Sequence, residues 1–114
     1  MTTVESFIVK AAHDKAMAAA QLASQAFSDK HFGGRDGGAC GFAWVNVYKV
    51  RSNSKLGKAL SEVGFRKGYG GGLQLWNQWW MGQSVDAAEH GATAYAQVIN
   101  QELNVDAYSG SRLD

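Results

Sequence analysis

The chain has 114 residues, 46% of them hydrophobic and 18% charged, with a formal net charge of +1. That length suits one domain, since domains commonly run about 100–150 residues, and the balance of apolar to charged residues excludes a disordered chain. A single cysteine, Cys40, excludes an intrachain disulfide and a cysteine-based metal cluster within one chain, and fits a reducing compartment.

Proline is absent and glycine occurs fourteen times, so turns fall to glycine, asparagine and serine. No apolar run approaches the roughly 18 residues of a membrane span, and the opening "MTTVESFIVKAAHDK" lacks the basic flank and apolar stretch of a signal peptide. A cytoplasmic protein is expected.

From Thr3 to about Phe27 the sequence is alanine-rich and free of glycine, which predicts a long helix because alanine sacrifices no side-chain entropy. Val4, Ile8, Ala11, Ala18, Ala19, Leu22 and Ala26 fall on one stripe at helical spacing, interrupted by Lys15. Alanines project so little that a partner helix can come close. "HFGGRDGGACG", residues 31 to 41, follows as a glycine-rich connector without the lysine-serine pair of a phosphate loop or the spacing of a dinucleotide fold.

"FAWVNVYKV", residues 42 to 50, is rich in β-branched and aromatic residues and reads as a strand. Ala43, Val45 and Val47 share one face; Phe42, Trp44, Asn46 and Tyr48 share the other. In "SNSKLGKALSEVGF", Asn53 or Ser54 caps a short helix with Leu56, Leu60 and Val63 as its apolar face. Gly64 suits the left-handed position after it, with Phe65 packing back on Leu60.

Arg66 to about Asn77 reads as a second strand, Leu73 and Leu75 on one face and Gln74 and Trp76 on the other, with its glycines at a bulge or a close backbone approach. Ser84 caps the last helix, whose stripe is Val85, Ala88, Ala92, Tyr95, Ala96, Ile99 and Leu103. Residues 104 to 114 form a polar C-terminal tail that either frays or folds back through Tyr108 and Leu113. The expected fold is α+β in the order α-β-α-β-α: two long alanine-rich helices and one short one on a small sheet. Two strands alone are marginal, so the sheet is expected to be extended by oligomerisation.

Charge is uneven. Residues 49 to 67 hold Lys49, Arg51, Lys55, Lys58, Arg66 and Lys67 against Glu62 alone, a balance of +5 that leaves −4 elsewhere. Lys55, Lys58, Arg66 and Lys67 are the anion-binding candidates, and they lead into "YGGGLQLWNQWWM", where Tyr69, Trp76, Trp79, Trp80 and Met81 gather. Positive grooves with aromatic platforms bind single-stranded nucleic acid, although the RNA-recognition, KH and zinc-finger signatures are missing. Tryptophan and methionine are also enriched where protein surfaces meet, which makes Trp44, Tyr69, Trp76, Trp79, Trp80 and Met81 candidate ligand or interface residues.

His13, His31 and His90 have no metal-site spacing, and no metal or cofactor is expected. A cysteine mechanism would use Cys40 with His31 or His90 as base and Asp36 as orienter; against it, free cysteines are commonly small hydrophobes. At "CGFAWV", "KALSEVGFRKGYGGGLQLWN" and "SRLD" the chain resembles small uncharacterised proteins encoded by tailed bacteriophages. The resemblance spans about a quarter of the chain and implies a virus-encoded protein of a bacterial host, with no activity attached. "NQWWM" is more apolar than that resemblance implies for the loop, which suggests an altered segment.

The reading favoured by the sequence is a non-enzymatic, self-assembling structural or binding protein, a homo-oligomer without membrane contact. The alternative is a nucleic-acid or nucleotide binder, and the second alternative a cysteine-dependent enzyme.

Overall fold

The computed structural model describes residues 4–68 and 71–114, and Tyr69 therefore lies outside the described residues. Its elements run α1 (Val4–Phe32), β1 (Gly41–Tyr48), α2 (Lys55–Glu62), β2 (Arg66–Lys67), β3 (Leu73–Trp76), α3 (Val85–Leu103) and β4 (Asp106–Leu113). The class is α+β, as the sequence predicts. The four strands form one antiparallel sheet in the order β2-β3-β1-β4.

Two strands were therefore missing from the sequence reading. The stretch from Arg66 to Asn77 is a hairpin rather than one strand, because Gly71 (φ 87°) and Gly72 (φ 78°) adopt left-handed conformations that turn the chain between β2 and β3. A side chain at Gly72 would meet the Val47 carbonyl at 2.6 Å, so this glycine also lets β3 lie against β1.

The predicted tail is strand β4. Its alternation is hidden by small residues: Ala107, Ser109 and Ser111 face α3, while Tyr108 and Arg112 face away. Asn104, left-handed at φ 53°, ends α3 and turns the chain into it.

Helix α3 lies on one face of the sheet, over β1 and β4, and α1 packs against α3 and α2. Ala43, Val45, Val47, Leu73, Leu75 and Ala107 point into the core with Leu60, Phe65, Tyr95, Ile99 and Trp79. The predicted stripe of α3 is the observed one, capped by Ser84, whose hydroxyl accepts from Ala87 N at 3.2 Å. Ser54 caps α2, and Gly64 (φ 119°) with Phe65 closes it: Phe65 N donates to Leu60 O and Gly64 N to Ser61 O, both at 3.1 Å.

The stripe predicted for α1 is the wrong one. Val9, Ala12, Ala16, Ala20, Ser24 and Ser28 face the core, whereas Ile8, Ala11, Ala18, Leu22 and Ala26 are on or near the surface, Leu22 being 73% exposed. Close approach of α3 admits only small side chains at the contact. The two serines are buried there because Ser24 Oγ donates to Ala87 O at 2.7 Å and Ser28 Oγ to Arg35 O at 2.6 Å. Lys15 interrupts nothing: it lies on the outer side and pairs with Glu102.

Candidate functional site: an aromatic sheet face beside a basic cleft

The face of the sheet away from the helices is uncovered by any described element. Strand register places Phe42, Trp44, Asn46 and Tyr48 of β1 on it, with Gln74 and Trp76 of β3, and Asp106, Tyr108, Gly110 and Arg112 of β4. Every apolar side chain in this set is aromatic. The covered face, by contrast, is built from alanine, valine and leucine, with Ser109 and Ser111 under α3.

Three rings form one cluster. Trp44 and Trp76 are cross-strand partners with centroids 4.9 Å apart, and Phe42 meets Trp76 edge-on at 6.1 Å. The Arg112 guanidinium sits 5.3 Å over the Phe42 ring. Gly110 makes room for this arrangement, since a side chain there would strike the Trp44 indole at 2.5 Å. Tyr48 and Tyr108 form a second cluster, centroids 5.8 Å apart, and between the two clusters Gln74 Nε2 donates to Asn46 Oδ1 at 2.8 Å. Trp76 is 45% exposed and Tyr108 58%, so both rings are reachable from solvent.

Beyond the Tyr48 end of β1 lies a cleft of about 740 Å³ lined by Lys49, Arg51, Ser52, Asn53, Lys67 and Gly72, among others. Lys49 has a left-handed backbone (φ 62°), and its ammonium group lies 3.2 Å from Asp106 on β4. At the other end a smaller cleft of about 350 Å³ opens between Phe42, Trp76, Trp80 and Met81.

The candidate residues named from the sequence are thus divided. Trp76 and Met81 are exposed, Met81 almost completely, and Trp44 is half-buried on the open face of the sheet. Trp79 belongs to the core: it is 4% exposed, donates from Nε1 to Ala88 O at 2.8 Å and stacks on Tyr95. It has no surface to give a ligand or a partner. Trp80 is half-buried and donates from Nε1 to Asp36 Oδ1 at 3.2 Å.

The cause of this divergence is Asn77. Its Oδ1 accepts from both Trp79 N (3.1 Å) and Trp80 N (3.0 Å), a side-chain turn that sends the adjacent indoles opposite ways.

Among the basic residues, Lys67 lines the large cleft, joined by Lys49 and Arg51, which the sequence reading did not select. Lys55 and Lys58 are exposed on α2. Arg66 folds back on the end of α2, donating to Ser61 O at 3.1 Å and Phe65 O at 2.8 Å. Tyr48, Tyr108 and Arg112 were also missed as site residues; the alternation of β1 shows Tyr48, but the other two needed β4 to be recognised.

The cysteine constellation is not assembled. Cys40 Sγ lies 3.5 Å from Gln83 Oε1, while His31 and His90 flank the Phe27 ring at 4.4 and 4.2 Å. The Asp36 carboxylate instead binds the loop before α3, accepting from Gln83 N and Ser84 N at 2.8 Å each, bonds that hold it below the usual carboxylate range. Among the described residues no group of three histidine, cysteine, aspartate or glutamate side chains could hold a metal ion, and no helix is long and apolar enough to cross a membrane. The chain matches no protein-family model, no curated protein and no solved structure.

Proposed function

We propose that the protein is a non-enzymatic binding protein that takes single-stranded nucleic acid on the open face of its sheet. The supporting observation is the composition of that face: aromatic rings with amides, Arg112 and one carboxylate, Asp106, and no aliphatic side chain among the described residues. A face made to pack on another protein layer carries branched aliphatics that interdigitate, as the covered face does. Flat rings with open faces instead stack on flat ligands, and nucleobases stack on such platforms without regard to sequence.

The charge of the flanks selects an anion. Lys49, Arg51 and Lys67 at one end and Arg112 on the face itself offer positions for phosphates, so a strand would run from the basic cleft along the Tyr48–Tyr108 pair to the Trp44–Trp76–Phe42 cluster. The reading promotes the sequence's second hypothesis over its first, because Trp79 is withdrawn into the core while the remaining aromatic surface is suited to stacking.

The test is titration with a short oligodeoxythymidylate followed by tryptophan fluorescence. Stacking on Trp44 and Trp76 quenches the signal, and with about three phosphates engaged the logarithm of the binding constant falls against the logarithm of salt with a slope of about −2. Absence of quenching at low salt would remove the proposal. Replacing Arg51 and Lys67 by glutamine should flatten the slope while leaving the quenched spectrum at saturation unchanged.

A further inference from the structure

Strand β4 is an edge of the sheet with no described strand beyond it, and its backbone polarity can be read from its hydrogen bonds. Asp114 N donates to Cys40 O on the β1 side at 3.0 Å, so the even-numbered residues of β4 turn their amides inward to β1. Ala107, of the opposite parity, is paired instead with a side chain: its N–H donates to Asn100 Oδ1 at 2.7 Å and its carbonyl accepts from Asn100 Nδ2 at 2.9 Å. Asn100 thus stands in for a neighbouring strand at that one position.

Beyond it, the backbone groups of Ser109, Ser111 and Leu113 point to the open edge. The opposite edge of the sheet is only two residues long and carries Arg66 and Lys67, both of which discourage pairing. The β4 edge is longer, eight residues with no proline, lysine or bulge, and its two charges, Asp106 and Arg112, are of opposite sign. Leu113 is 69% exposed on the helix-side face, where its own chain leaves it largely uncovered.

We infer that a second copy of this chain pairs with β4, antiparallel and two-fold symmetric about Ser111. The window left open by Asn100 runs from Ser109 to Leu113, and Ser111 is its centre. This register sets Ser111 against Ser111, Ser109 against Leu113, and Gly110 against Arg112 of the other copy. Leu113 is then covered beside the partner strand. Arg112 of the other copy comes alongside the Trp44 indole that overhangs Gly110, where a guanidinium is attracted to the ring.

The two sheets become one of eight strands. Their aromatic faces lie on the same side and join across the seam in the row Trp76, Trp44, Gly110, Arg112, Phe42, the last two from the partner. The inference does not rest on the ligand proposed above, because the edge pairs whether or not the face is occupied.

The test is solution mass by light scattering over a concentration series, with wild type expected at twice the 12.3 kDa of the chain. The Ser111→Pro variant removes an edge-facing N–H without touching the ladder to β1, and is expected at the monomer mass with an unchanged circular dichroism spectrum. If that variant does not fold, Leu113→Lys decides instead, monomer being expected.

Register is read in a Cys40→Ser background. Ser111→Cys should form an interchain disulfide on mild oxidation, because opposed residues of a hydrogen-bonded antiparallel pair have Cα atoms about 5.5 Å apart, within disulfide reach. Ser109→Cys should not. A monomeric wild type at every concentration, a dimer that survives in the folded variants, or crosslinking at 109 rather than 111 would each overturn the inference.

Discussion

Gly91 has no room for a methyl group. A Cβ there would lie 2.2 Å from Trp79 Cδ1 and 2.4 Å from Ser24 Oγ, where the indole crosses α3 against α1. Overpacking by Gly91→Ala costs about 1–3 kcal/mol against roughly 1 kcal/mol restored by alanine's helix preference, so contacts this short should leave a net loss of about 1–2 kcal/mol. Thermal unfolding followed by circular dichroism checks this, and a raised melting temperature would contradict the placement of Trp79.

His13 carries a second residue-scale consequence. Its Nδ1 lies 2.6 Å from the Tyr95 hydroxyl, and burial between α1 and α3 holds its pKa below the ordinary value of 6.5, with Asp14 opposing and Lys10 reinforcing the shift. The unfolded chain then takes up a proton first as pH falls, so stability is present above about pH 6.5 and is lost on acidification below it. The melting temperature should fall between pH 7 and 5, and His13→Gln should flatten that fall. An equally steep fall in the variant would place the titrating group elsewhere.

Among the elements, the short helix and the last helix were the most legible, because their ends are written in local chemistry: serine caps at Ser54 and Ser84, and the glycine-aromatic pair Gly64–Phe65. Ser84→Ala tests that legibility. The serine is buried and satisfies Ala87 N, so its loss should cost about 1 kcal/mol or slightly more in denaturant unfolding, and a neutral result would mean the cap contributes nothing.

Helix α1 was legible in its existence and not in its orientation. Its buried side is made of alanines and of Ser24 and Ser28, whose polarity a hydropathy stripe rejects and whose hydrogen bonds to Ala87 O and Arg35 O only the fold supplies. Strand β4 was obscured for a related reason: serine, glycine and alanine dominate it, and its position under α3 is a tertiary fact. The triple-glycine stretch invited a bulge because glycine in a strand and glycine in a hairpin turn look alike until the positive φ angles are known.

For the whole molecule, the alternation of β1 already separated Phe42, Trp44 and Tyr48 from Ala43, Val45 and Val47, and the aromatic side of the sheet was legible from it. The basic cleft was legible only as a charge-rich segment, because Lys49, Arg51 and Lys67 meet through the return of β3 against β1. The adjacent tryptophans were the least legible feature, since a side-chain turn at Asn77 decides which of them is core.

Two surfaces carry the proposed tasks, the β4 edge for a second copy and the aromatic face for a stacked ligand. The most direct measurement of the latter is the affinity of Trp76→Leu for oligodeoxythymidylate beside that of wild type, at two salt concentrations. Leucine keeps the position apolar and removes the flat ring. Loss of one stacked base, about 1–3 kcal/mol, should weaken binding on the order of 5- to 150-fold with the salt slope unchanged. Equal affinity in the two proteins, or a wild type that does not bind, would contradict the assignment of the sheet face.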